Sequence, residues 1–166
     1  MNGVWIFDLD GTLADIEHRR PLVDNSLRDP RFRPQWRAFF EACDRDKPVY
    51  PVIEVFRALW HEGKILEIWS GRSAEVRAKT LHWLSEHVFR GVPADLWSDA
   101  DHPQYVRLRM RPEGDYQSDV TLKESWLDSL VSEGLEPVAV FDDRKRLVEM
   151  WRRRGVLCFQ CAEGNY

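Results

Sequence analysis

Asp8 and Asp10 stand two residues apart, directly after the apolar run of residues 4–7 and directly before Gly11-Thr12-Leu13. Two carboxylates this close repel each other unless a cation or a shared proton relieves them. Magnesium takes hard oxygen ligands and suits such a pair. Beside it, one carboxylate can attack a phosphoryl group and carry it as an aspartyl-phosphate. The other can protonate the leaving oxygen and then activate water. Asp8 is expected in the first role and Asp10 in the second. A solvated acidic pair after an edge strand is the plainer alternative, and Asp-x-Asp by itself does not separate the two.

Three further segments argue for the chemistry. Ser70-Gly71-Arg72 follows the apolar residues 65–69, Lys123 follows Ser118-Asp119, and Asp142-Asp143-Arg144 follows the apolar residues 137–141. Ser70 can donate a hydrogen bond to a phosphate oxygen, Gly71 lets a main-chain N–H approach it, and Arg72 can grip it with two donors. Lys123 can neutralise charge on a transferring group, and Asp142 adds a carboxylate to the magnesium site. The first two segments have structural alternatives: a strand-to-helix turn capped by Ser73, and a solvated lysine at a helix start.

These side chains need elements to position them. Residues 4–7, 65–69, 105–110, 137–141 and 156–159 read as strands, and three of them end in polar groups. Helices are expected over 52–62, 74–86, 123–133 and 145–154, with loops at 89–103 and 111–116. Strands separated mostly by helices predict a three-layer α/β sandwich on a parallel sheet, whose carboxyl edge binds ligands. Residues 15–50 interrupt this pattern. Residues 15–34 hold three prolines and many charges, and residues 34–43 form a short helix with Trp36, Phe39, Phe40 and Cys43 on one face. Arg107, Arg109 and Arg111 alternate along a strand and share a face that either meets phosphate or lies in solvent.

The chain has 166 residues, enough for one domain, and a net charge of -4, which does not advertise nucleic-acid binding. Its three cysteines form no even framework, and Cys158-x-x-Cys161 lacks the second pair a zinc site needs, so reduced thiols are expected. Reduced thiols, no basic leader and no apolar run of about 20 residues point to a cytoplasmic protein without a membrane span. Nothing in the sequence marks an oligomeric state.

Asp8-Leu9-Asp10-Gly11-Thr12-Leu13 resembles the first motif of the haloacid dehalogenase-like phosphatases. Ser70-Gly71-Arg72, Lys123 and Asp142-Asp143 resemble the second, third and fourth motifs, in order and at plausible spacing. The resemblance implies a Rossmann-like parallel sheet, an aspartyl-phosphate intermediate and magnesium held by Asp8, Asp142, Asp143 and the main-chain carbonyl of Asp10. The segment 15–50 is then read as a small cap-like insert after the first strand. Arg19, Ser70-Gly71-Arg72, Gly114-Asp115, Asp119, Lys123, Asp142-Asp143-Arg144 and residues 148–156 further resemble the phosphatase domain of bacteriophage polynucleotide kinase–phosphatases. That resemblance implies that Thr12, Arg19, Ser70, Gly71, Arg72 and Asp119 bind substrate. It also implies that the substrate is a phosphorylated nucleic-acid end or nucleotide that loses its 3′-phosphate. Two features depart from the pattern: no kinase P-loop occurs, and residues 20–50 exceed the phage linker. A 5′-nucleotidase or other small-molecule phosphatase is the alternative enzyme, and a non-catalytic binding or regulatory module is the alternative of another class.

Overall fold

Alternating apolar side chains sort the chain into three layers. The computed structural model describes residues 3–25, 29–102 and 105–164. Residues 26–28 of the insert and Pro103 of the expected 89–103 loop lie outside the described residues. The strands are β1 (Gly3–Asp8), β2 (Ala14–Asp15), β3 (Lys47–Pro48), β4 (Ile65–Ser73), β5 (Val106–Arg111), β6 (Glu136–Arg144) and β7 (Cys158–Gly164). The helices are α1 (Trp36–Glu41), α2 (Tyr50–His61), α3 (Arg77–His87), α4 (Ala94–Trp97), α5 (Asp119–Ser132) and α6 (Lys145–Arg153).

Five strands form one parallel sheet in the order β5-β4-β1-β6-β7. Along β1, Phe7 faces one core with Ile53, Phe56 and Trp83 of α2 and α3. Val4 and Ile6 face the other core, with Leu127 of α5 and Trp151 of α6. The order reverses between β1 and β6. Side chains at the carboxyl ends of those two strands therefore open into a crevice, where α/β sheets bind ligands.

The strands run further than their apolar cores. β4 continues through Ser70-Gly71-Arg72 to Ser73, and β6 continues through Asp142-Asp143 to Arg144, so the chemistry-bearing residues are strand ends rather than loops. The helix expected from residue 74 begins as a 3-10 turn, Ala74–Val76, with the Ser73 hydroxyl accepting from the Glu75 N–H at 3.3 Å. Helix α5 begins at Asp119, capped by Ser118, so Lys123 lies a full turn inside it and not at its start. The expected 89–103 loop contains α4, anchored by the buried Trp97. The last strand starts two residues later than expected, because Val156 and Leu157 lead into it.

The insert has its own closure, absent from the sequence reading. β2 and β3 pair antiparallel, Ala14 against Pro48 and Asp15 against Lys47, and tie the two ends of residues 15–50 together. Between them, Phe39 and Cys43 of the expected apolar face are buried, whereas Trp36 is 49% exposed.

Candidate active site

Asp8 ends β1, and one cation and two further acids converge on it from other elements. The Lys123 ammonium, projecting from α5, lies 2.5 Å from Asp8 Oδ1 and 3.0 Å from Asp142 Oδ2. Asp142 is fully buried at the end of the β6 core. It also accepts from Trp151 Nε1 at 3.1 Å and from the Arg144 main-chain N–H at 3.2 Å. Burial raises the Asp8 pKa well above the ordinary carboxylate value; Lys123 opposes the rise, and the charges of Asp142 and Asp143 add to it. Burial disfavours the Lys123 charge too, but Asp142 and Asp8 outweigh it and push that pKa upward.

Asp8, Asp142 and Asp143 are all buried, and each brings a carboxylate oxygen within 4.8 Å of the others. The Asp10 carboxylate lies outside this trio because Gly11 turns the chain with φ +91° and its N–H bonds Ala14 O at 2.8 Å. A left-handed φ of this kind favours glycine, which has no Cβ to clash. Asp10 points instead at two guanidinium groups. Arg19 Nη2 donates to Asp10 Oδ1 at 2.8 Å, and Arg72 Nε donates to the same oxygen at 2.7 Å. Burial alone would raise the Asp10 pKa, but Arg72 and Arg19 outweigh it and hold the carboxyl at about 2.

The same arginines meet a second carboxylate that sequence reading missed. Asp46 takes Arg19 Nε at 2.7 Å and Arg72 Nη2 at 2.7 Å, while His18 Nε2 lies 2.8 Å from its Oδ1. Its main-chain carbonyl accepts from Trp83 Nε1 at 2.8 Å. Asp46 is 3% exposed at the insert's return to the body. Its only signal was position, one residue before β3 in an otherwise ordinary Asp-Arg-Asp-Lys run. Arg19 and Arg72, both expected at the substrate, are buried partners of Asp10 and Asp46.

The remaining expected residues divide. Asp119 lies between Arg111 and Arg144, in contact with both, and Arg146 Nη2 lies 3.4 Å away. Gly71 packs against it: a Cβ there would come within 3.2 Å of Asp119 Oδ1. Ser70 Oγ accepts from the Arg72 N–H at 3.2 Å, and Thr12 is fully buried with an unpartnered Oγ1. The arginine stripe splits. Arg111 reaches the site at the start of α5, but Arg107 and Arg109, on the same α5-facing side of β5, lie towards the end of that helix. There Arg109 pairs with Glu67 at 2.8 Å and Glu133 at 3.3 Å and lies over the Trp69 ring. Arg107 meets Glu133 at 2.7 Å, so neither forms a phosphate-facing stripe. All three cysteines are free thiols, and burial pushes Cys158 and Cys161 up to about 12.

Asp8, Asp10, Lys123, Asp119 and Arg111 line one cavity of about 640 Å³, together with Trp36 and Phe40 of the insert. That volume lies in the range of roughly 300–1,000 Å³ that encloses a small organic ligand. No helix among the described residues is long and apolar enough to cross a membrane.

Comparison with solved structures agrees with this arrangement. Structures of the Pnkp1/Rnl/Hen1 RNA repair complex contain a chain similar to this one at 26% identity and a TM-score of 0.71, over 100% of this chain and 44% of that one. A second structure of the Pnkp1/Rnl/Hen1 complex matches at 25% identity and a TM-score of 0.73, over 100% and 48%. The protein therefore spans about half the length of these relatives. A class C acid phosphatase from Bacillus anthracis with tungstate bound shares the fold at 13% identity, with a TM-score of 0.64 over 99% of this chain and 68% of that one. The model of the polynucleotide kinase PNKP phosphatase domain matches residues 2–166. The Rossmann-like sheet, the carboxylates at its switch point and this match over nearly the whole length lead to one conclusion: the chain belongs to the polynucleotide kinase PNKP phosphatase domain family, within the haloacid dehalogenase-like phosphatases.

Proposed function

We propose that this domain is a magnesium-dependent phosphomonoesterase that removes 3′-phosphates from polynucleotide ends through an aspartyl-phosphate on Asp8. One observation carries the reading. The Asp8 carboxylate is held at the switch point by Lys123, in the same cavity as a second carboxylate, Asp10, fixed by two arginines.

The donor set fits a hard divalent cation, since three buried carboxylates crowd together and two of them meet the Lys123 ammonium. Asp8, Asp142 and Asp143 would hold magnesium, with the Asp10 main-chain carbonyl as a further ligand. When bound, magnesium screens the carboxylates from one another and draws charge from the phosphoryl oxygens. The chain's own groups do the rest. One Asp8 oxygen forms a bond to phosphorus as the bond to the 3′-oxygen breaks. Substrate entering as its phosphate monoanion supplies a proton to the Asp10 carboxylate, and Asp10 passes it to that oxygen as the alcohol leaves. Asp10, again a carboxylate, then takes a proton from water as the water oxygen bonds to phosphorus and the Asp8–phosphorus bond breaks. Lys123 neutralises charge in both steps. Arg19, Arg72 and Asp46 act by orienting Asp10. We read residues 15–50 as a cap, with Trp36 and Phe40 toward the substrate.

The test is phosphate release, with magnesium, from 3′-phosphorylated oligonucleotides and from nucleoside 5′-monophosphates. Hydrolysis of the oligonucleotide ends is the expected result. Hydrolysis of the 5′-monophosphates alone would replace this reading with a 5′-nucleotidase, and turnover of neither with a non-catalytic module.

A further inference from the structure

The cavity that holds the phosphoryl chemistry is also lined by aromatic rings. Trp36, Phe39 and Phe40 form a cluster. Trp36 and Phe40 stack with ring centroids 6.0 Å apart and planes 30° apart, and Phe39 meets Trp36 edge-on at 5.9 Å. The rings of α1 and the turn after it are buried to different degrees. Phe39 and Cys43 are the buried anchors, while Trp36 is half exposed and Phe40 only partly buried, both on the cavity wall. An exposed indole stacked on a second ring beside a phosphoryl site presents a flat apolar face. Nucleobases stack on such faces irrespective of sequence.

The cluster is also tied to the chemistry. The Arg19 guanidinium carbon sits 4.1 Å from the Phe39 ring centroid, and the same guanidinium holds Asp10. A base resting on Trp36 and Phe40 would therefore be registered against the acid–base residue through two contacts. Two cations that the proposed chemistry does not use also line the cavity, along with the acidic Glu75 and Asp115. Arg37 follows Trp36 on α1, and the half-exposed Arg146 lines the cavity from α6. Cations there suit a second phosphate one nucleotide inward from the end.

We infer that Trp36 and Phe40 form a stacking shelf for the terminal base of a single-stranded polynucleotide end, with Arg37 and Arg146 meeting the next phosphate. Trp36 is on this account a specificity-determining residue that separates polynucleotide ends from simple phosphomonoesters. The inference rests on the polynucleotide 3′-phosphatase reading.

The experiment compares kcat/KM for a 3′-phosphorylated oligonucleotide with kcat/KM for p-nitrophenyl phosphate, which carries no base or second phosphate. Trp36→Ala is expected to lower the ratio of the two by roughly ten-fold or more, mainly through KM for the oligonucleotide. Trp36→Phe, which keeps a flat ring, should restore most of it. An oligonucleotide abasic at its 3′-terminal position tests the same contact with the protein unaltered. Wild type should lose a similar factor on it, and Trp36→Ala should lose little more. Independent, multiplying losses from the variant and the abasic site would overturn the shelf, as would equal losses on both substrates. Failure of the parent reading shows itself separately: wild type would then turn over p-nitrophenyl phosphate but no oligonucleotide end.

Discussion

Arg72 donates from Nε to Asp10 Oδ1 at 2.7 Å across a sequence separation of 62 residues, and its other arm reaches Asp46. Asp10 needs one orientation to serve first as acid and then as base, and this clamp supplies it. Arg72→Lys keeps the charge but loses the planar fork that spans both carboxylates. Its kcat is predicted to fall by about 10²–10⁴-fold, the contribution of a positioned acid–base group. A steady-state assay checks this, and near-normal kcat in a folded Arg72→Lys protein would mean that Asp10 needs no clamp.

Asp46 is predicted to matter to folding as well. Removing it leaves Arg19 and Arg72 buried with Asp10 as their remaining carboxylate. Breaking a buried pair from one side costs about 3–5 kcal/mol, so Asp46→Ala should lower the urea midpoint by that equivalent. Asp46→Asn, which preserves shape, should lose less.

Metal binding should also be readable in stability. Asp8, Asp142 and Asp143 are buried and crowd together. Asp143→Asn is therefore predicted to raise the melting temperature in chelator, by relieving repulsion, and to remove the rise that magnesium gives wild type. For wild type, saturating magnesium at about 100 times its dissociation constant corresponds to about 2.7 kcal/mol. Chelator should abolish turnover and magnesium should restore it.

Acid should release the Asp10 clamp in a predictable window. Asp10 is held at about 2 against 3.8 for a free carboxyl, a difference of about 2 kcal/mol. Because the folded value is the lower one, this stabilisation is fully present above about pH 4 and is lost as pH falls towards about 2. The stability gap between wild type and Asp10→Asn should be constant from neutral pH down to that window and then shrink. A gap that widens on acidification would contradict the ion pairs.

The sheet was legible because its strands are apolar runs that end abruptly in polar residues. Asp8, Asp142 and Lys123 converge as their positions in sequence suggested. The insert's closure was not legible: β2 and β3 are two residues each, too short to show a period. Asp46 had no motif, and its role exists only because β3 returns it beside β1. Arg19 and Arg72 were recognisable as site residues, but a guanidinium grips phosphate and carboxylate with the same geometry, so sequence could not name the partner. Arg109 shows the same limit. Alternation placed it on a face of β5, yet only the fold shows Glu67 and Glu133 on that face. Arg109→Ala should accordingly leave the salt dependence of oligonucleotide hydrolysis unchanged and cost about 2 kcal/mol of stability. Arg146→Ala should flatten the log–log salt slope by about 0.7.

The most direct test of the account is to trap the phosphoryl group on Asp8. p-Nitrophenolate leaves without a proton, so Asp10→Asn should still be phosphorylated by p-nitrophenyl phosphate in magnesium but should lack the base that releases the product. Acid quenching and peptide mass analysis are predicted to find one phosphoryl group on Asp8 in this variant and none when Asp8→Asn is added. Continued turnover by the doubly substituted protein, or a phosphoryl group on another residue, would contradict the mechanism.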